Sequence, residues 1–184
     1  MTRRRAHAHR FPIREDRRHR LEVHVAGYCF RATGGGPQLL VAQRTLKREL
    51  YPGLWECGGG HVKPGENFEE ALRRQYYEEL GIKVRLLGLF VTYEILRPRG
   101  PKIPGLKYLC LYDNGPTAIE LDPREFMQFR WVSEREARRL KMIGGMRADL
   151  RDAFATIRSV FRQSRATTGT AHIGFRPPAH NPAE

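Results

Sequence analysis

The chain has 184 residues, 40% of them hydrophobic, enough for one domain with a proper buried core. Its formal net charge of +13 favours phosphate-bearing partners such as nucleotides, nucleic acid or anionic surfaces, but fixes neither fold nor reaction. Three widely spaced cysteines and seven histidines complete no disulfide framework and no zinc pattern, and no apolar run approaches the roughly 20 residues that span a bilayer. A reducing cytoplasm fits this cysteine usage.

Residues 1–20 read as a basic arm, a solvated flexible tail carrying Arg3, Arg4, Arg5, Arg10, Arg14, Arg17, Arg18 and Arg20. Leu21 to Phe30 alternates and is rich in β-branched and aromatic residues, which predicts a strand. Gly34-Gly35-Gly36-Pro37 ends it, and the run Leu39-Leu40-Val41 predicts a second strand returning as a hairpin. After a Pro52-Gly53 turn, Leu54 to Val62 passes through three consecutive glycines.

The clearest helix is 67–80. Asn67 suits its cap, Glu69 and Glu70 its positive end, and Gly81 its C-terminal stop. Ile82 to Leu96 predicts one long or two short strands, Arg97 to Gly105 a loop with three prolines, and Lys107–Tyr112 and Phe126–Val132 two further strands. A short helix from about Ser133 and a longer one from Met146 to Gln163 close a domain over 21–163. The tail 164–184, rich in Gly, Pro and Thr, is expected to lack order. Strands, a helix, strands and then helices make an α/β layered domain of the α+β kind, not a dinucleotide-binding alternation.

On the helix, Gln75, Glu78 and Glu79 fall within an arc of roughly 100°. Arg74, four residues before Glu78, gives the main positive compensation nearby, and Glu66 at the helix entry joins the group if the glycine loop folds back. Carboxylates gathered this way repel unless a cation sits among them, and few hard oxygen donors with room for water and phosphate suit Mg²⁺ or Mn²⁺. From Glu78-Glu79 alone, a solvated acidic face is the commoner explanation.

The whole string changes that weighing. Gly60, Glu66, Arg74, Glu78, Glu79, Gly81 and Ile82 stand at the spacing of the Nudix box, and the chain resembles the Nudix (MutT-like) hydrolases over about residues 22–140. The resemblance includes Leu40 to Arg44 and Tyr51-Pro52-Gly53-Leu54-Trp55-Glu56 before the box, and Phe129 to Ser133 after it. It implies an α/β/α sandwich with a mixed sheet, and hydrolysis of a diphosphate bond in a nucleotide or nucleoside-diphosphate-linked substrate. By position it implies Glu78 and Glu79 as metal ligands, the Gly59 carbonyl as a further ligand, Glu66 as a weaker or supporting one, and Arg74 as a guide for neighbouring carboxylates. A glutamate from the loop before the last strand serves several members; Glu120 is the first candidate here and Glu125 the second. An ordinary loop position is an even alternative for both.

The box has one serious departure. Gln75 stands where the family has glutamate, and a neutral amide has neither the charge nor the basic oxygen of that group. Two alternatives therefore stay open: a catalytically weak domain that binds nucleotide or nucleic acid through its basic ends, and an isomerase of the isopentenyl-diphosphate type. A homodimer is a further partner arrangement left open; a membrane is not expected. Lesser candidates each have a plainer role. His61 is a phosphate contact or a surface histidine, Cys57 a nucleophile or a small core residue, and Trp55 and Phe30 base-stacking rings or core. Lys47, Arg48, Arg97, Arg99 and Lys102 are flanks for an anion or ordinary loop charges.

Overall fold

The computed structural model describes residues 21–97, 99–113, 115 and 118–166; the basic arm 1–20 and most of the expected tail, 167–184, lie outside the described residues. Seven strands form one sheet: β1 (His24–Thr33), β2 (Gly36–Arg44), β3 (Trp55–Glu56), β4 (Gly59–His61), β5 (Val84–Ile95), β6 (Ile103–Tyr112) and β7 (Phe126–Val132). The helices are α1 (Phe68–Leu80), α2 (Glu134–Ala137) and α3 (Met146–Ala166). The order is β3-β2-β1-β6-β5, with β4 on β1 and β7 on β2. The sheet is mixed because β1 runs parallel to β6 while the other pairings are antiparallel.

Pairing registers show what holds the site open. β1 and β2 face each other only from Phe30↔Leu39 to Thr33↔Gly36 and then diverge. The freed edge of β1 takes β4 (His24↔His61 to Ala26↔Gly59), and the freed edge of β2 takes β3 (Ala42↔Glu56, Gln43↔Trp55). The segment from Trp55 to His61 is thus a wedge filling the split between two strands whose other edges are occupied by β6 and β7.

Both faces of the sheet are buried, as the alternation along each strand requires. Val25, Cys29, Leu40, Ala42 and Cys110 pack under α1 with Leu72, Tyr76 and Leu80. Tyr28, Phe30, Leu39, Val41 and Leu109 pack on the other face under α3 with Phe154 and Ile157. The result is the expected sandwich of helix, mixed sheet and helices. Trp55, Phe30 and Cys57 belong to the α3-side core, Phe30 meeting Phe154 edge-on at 5.0 Å.

Several boundaries differ from the sequence reading: β1 runs from His24 to Thr33 rather than from Leu21 to Phe30, and β2 takes in Gly36 and Pro37. β6 begins at Ile103, inside the expected loop, and carries Pro104. The proline fits because β1 reaches β6 only from Gly105 onward, so the edge of Pro104 that lacks an N–H has no strand to bond. α3 continues to Ala166, past the expected tail boundary at Ser164.

Candidate active site

α1 is set by local chemistry. Asn67 accepts from the Glu70 amide at 2.9 Å, and the Glu70 carboxylate accepts from the Asn67 amide at 3.0 Å, a reciprocal cap that satisfies two orphan donors. Gly81 ends the helix at φ 65°, where a side chain would be strained.

The glycine run 58–60 lets this helix lie flush on the wedge. A Cβ at Gly58 would come 2.7 Å from the Tyr76 ring, and one at Gly60 would overlap the Gln75 amide. The Tyr76 hydroxyl donates to the Gly27 carbonyl at 2.6 Å, pinning the helix to β1. These glycines therefore seat a helix. Gly27 N donates to Gly58 O and Val62 N to Val23 O, so by antiparallel alternation the Gly59 and His61 carbonyls point away from β1. The His61 carbonyl already accepts from Arg74 at 3.0 Å on that side.

Arg74 organises one half of the box. It grips Glu66 through Nε (2.5 Å) and Nη2 (2.9 Å) and reaches Glu78 through Nη1 at 2.9 Å. The guanidinium and the Lys63 amide hold the Glu66 carboxyl down to about 2. Glu78 is half exposed and also meets Lys63 at 3.4 Å, a cation that sequence spacing alone did not bring to it.

Glu79 occupies different surroundings. Burial, followed by the charges of Glu56 and Glu125, pushes its carboxyl up to about 8; Arg48 and Arg44 oppose this. Arg44 is itself held by Glu56 at 2.7 Å, and Arg48 by Glu125 at 2.8 Å. With its amide turned to satisfy both neighbours, Gln75 donates to Glu79 at 2.9 Å and accepts from Arg74 at 3.2 Å. Three carboxylates from α1, β3 and the turn just before β7 thus share one electrostatic neighbourhood with two arginines.

The two loop candidates lie in different surroundings. Glu120 sits at the end of α1, its amide bonded to the Leu80 carbonyl and its side chain against Gly81. It borders a shallow depression with Tyr77, Glu78 and Arg124. Glu125, paired with Arg48, lies near enough for its charge to raise the Glu79 carboxyl, in a segment tied down by Asp122 N to Glu79 O and Thr45 N to Glu125 O. Glu56 and Arg44 were absent from the sequence-derived candidates; the string Tyr51 to Glu56 contained the first, but only strand register places it.

Of the lesser candidates, Arg48 joins the site, Arg97 pairs with Glu22, and Lys102 pairs with Glu94 at 2.6 Å. Lys47 and Arg99 are exposed. The His61 ring is exposed and lies edge-on to His24 at 5.4 Å. All three cysteines are free and buried, and burial raises each thiol.

A model of the NUDIX domain matches residues 20–154. The chain belongs to the Nudix family. The chain is similar to a nucleoside triphosphatase NudI of Salmonella paratyphi B, 50% identical over 107 residues that make up 53% of this chain and 74% of that one. It is also similar to an isopentenyl-diphosphate Delta-isomerase of Leifsonia xyli, 32% identical over 61% of this chain and 63% of that protein, so it spans less than two thirds of that relative's length. In three dimensions the Nudix fold of the chain resembles a C. elegans Ap4A hydrolase, with a TM-score of 0.62 at 21% identity, covering 74% of this chain and 97% of that one.

The donor set fits the divalent cation that the family implies. Among the described residues no three His, Cys, Asp or Glu side chains are arranged as a complete metal cage. Glu79 is nevertheless a part-buried carboxylate whose charge is opposed by burial and two further carboxylates. A small hard cation held by one or two carboxylates, with water and substrate phosphate supplying the rest, matches such a site.

Proposed function

We infer that this chain is a metal-dependent hydrolase that cleaves a diphosphate bond in a nucleotide or a nucleoside-diphosphate-linked substrate. The observation that carries the reading is the Glu79 neighbourhood: a carboxylate on the box helix, raised to about 8, beside Glu56 and Glu125. The similar Salmonella protein is a nucleoside triphosphatase by name, and a nucleoside triphosphate is the first substrate to try.

Glu79 and Glu78 would hold Mg²⁺ or Mn²⁺, with the outward Gly59 carbonyl as a further oxygen donor. Such a cation neutralises the diphosphate and makes bound water a better nucleophile. Arg74 keeps Glu66 and Glu78 in place through its three-way contact. Gln75 cannot bind metal as a charged ligand; its amide steadies the Glu79 carboxylate instead. Glu125 is our choice for the group that accepts the proton of the attacking water as the P–O bond breaks, in place of Glu120. Arg48 and Arg44 limit the negative charge that substrate meets on entry. Three buried free thiols agree with a reducing compartment such as the cytoplasm. Among the described residues no helix is long and apolar enough to cross a membrane.

The isomerase reading draws on the Leifsonia relative. It needs a reactive cysteine, and here Cys57 lies in the core with its thiol raised by burial.

The test is a panel of nucleoside triphosphates, nucleotide sugars and dinucleoside polyphosphates with Mg²⁺ or Mn²⁺, followed by phosphate and pyrophosphate release. Metal-dependent release from at least one is expected. No release from any, with isopentenyl diphosphate isomerised instead, would overturn the assignment.

A further inference from the structure

The net charge of +13 is not spent at the site, where arginines are matched by glutamates. Part of it forms a seam between α2 and α3. Arg147, Arg151, Arg158 and Arg162 recur along α3 so that, at about 100° per residue, they fall within an arc of roughly 60°. At about 1.5 Å per residue the row runs about 22 Å. The acidic residues of this helix leave that row: Asp149 is on another side, paired with Lys107 at 2.6 Å.

The row borders α2. Arg158 reaches Glu134 at 2.8 Å, and Arg147 donates to the Leu140 carbonyl at 2.6 Å. Glu134 also pairs with Arg138, so one carboxylate serves two arginines. Arg135, Arg139 and Lys141 add exposed cations from α2 and its following turn. Arg151 and Arg162 are exposed and make no ion pair among the described residues. Like charges four residues apart, 147 with 151 and 158 with 162, weaken a helix, so Arg151 and Arg162, which make no ion pair among the described residues, are not explained by helix stability.

The seam borders β3, the short strand that carries Trp55 on the α3 face and Glu56 of the site on the other face. The turn after α2 brackets Trp55, whose N–H donates to Lys141 O at 2.9 Å and whose carbonyl accepts from Ile143 N at 3.0 Å. Arg130 lies over the Trp55 ring at 6.0 Å, and the next residue along β3 is Glu56.

We propose that the α2–α3 arginine seam binds the phosphodiester backbone of a single-stranded nucleic acid whose end can reach the diphosphate-cleaving site. A row of guanidiniums along one helix face, with Arg151 and Arg162 free of ion pairs among the described residues, suits successive phosphates, and contacts of this kind are independent of sequence. The site part of this statement rests on the proposed hydrolase activity; the binding part does not.

The experiment is fluorescence anisotropy of the full chain with a labelled single-stranded RNA 20-mer, and with DNA of the same sequence, at several salt concentrations. Arg151→Gln/Arg162→Gln should weaken binding about tenfold and flatten the log–log salt slope by about 1.4, from about 0.7 per lost phosphate contact. Arg→Lys at both positions should restore most of the affinity, since point charges suffice for backbone contact. Turnover of the best mononucleotide should be unchanged by either pair, which separates loss of binding from loss of the hydrolase site. Equal binding by the Gln pair, with loss only on removal of residues 1–20, would overturn the proposal by assigning binding to the arm. So would absence of binding at low salt, or a tighter Arg151- and Arg162-dependent association with vesicles containing phosphatidylserine.

Discussion

Gln75 and Glu79 stand one helical turn apart on α1, with the amide nitrogen 2.9 Å from a carboxylate oxygen. The pair is a donor facing an acceptor, and it steadies Glu79 where a second carboxylate would repel it. Gln75→Glu exchanges that bond for a repulsion which only a cation can relieve. Without metal the variant should melt lower than the parent. With Mg²⁺ or Mn²⁺ it should recover, require about tenfold less metal for half-maximal effect, and turn over faster. Thermal melts and rates across a metal titration check this. A variant no more responsive to metal than the parent would show that position 75 does not face the cation.

Glu125 and Glu120 are separated by the same design of experiment. Glu125→Gln should lower kcat by about 10²–10⁴-fold if this carboxylate takes the proton of water. Glu120→Gln should leave kcat within about threefold, because its contacts are to Leu80 and Gly81 at the helix end. Steady-state rates on the best nucleotide decide between them, and the reverse ranking would restore the sequence-based preference.

The metal-free protein should lose stability between about pH 6.5 and 8. Glu79 has a folded value of about 8 against an ordinary 4.5, so across that interval the folded state holds a proton the unfolded state has released, and folding weakens as pH rises. His24 acts oppositely. Burial and His61 lower it from 6.5 to about 4, so its stability contribution is lost as pH falls through that interval. The two oppose each other below about pH 6.5; above it the Glu79 slope is unopposed by His24, and the burial that raises the Glu56 carboxyl acts in the same direction. Denaturant midpoints in EDTA should fall over this range for the parent and stay flatter for Glu79→Gln.

Gly58→Ala should destabilise by about 1–3 kcal/mol through overpacking against the Tyr76 ring. In a chain of this size that lowers Tm by about 2–4 °C per kcal/mol. Tyr76 is fully buried and its hydroxyl is committed to Gly27, so it cannot step aside. Gly34→Ala, with open space where its Cβ would go, is the control and should melt within about a degree of the parent.

α1 was readable in the sequence because its signals are local: the Asn67–Glu70 cap, the apolar spacing of Leu72 and Tyr76, and Gly81 at the stop. The two faces of the sheet were readable from strand composition for the same reason. The placement of Glu125 was not, since it depends on Asp122 bonding to Glu79 and Thr45 bonding to Glu125 across long chain separations. Glu56 escaped notice because only the β2–β3 register brings it to Arg44. The start of β6 was missed because Pro104 reads as a breaker until it is known that β1 does not reach it.

The parallel pairing of β1 with β6 sets His24 opposite Gly105, with the wedge and α1 lying between them along the chain. The β1–β2 and β5–β6 hairpins each join neighbours in sequence, but the contact that encloses α1 joins distant ones. Closing long loops is the slow part of forming such topologies. In refolding, hairpin signals should therefore precede burial of Tyr76, and metal-responsive behaviour should arrive with the last kinetic phase. A chain emerging from the ribosome would carry the whole Nudix box before β6, the strand that flanks β1 in the finished sheet, had been made.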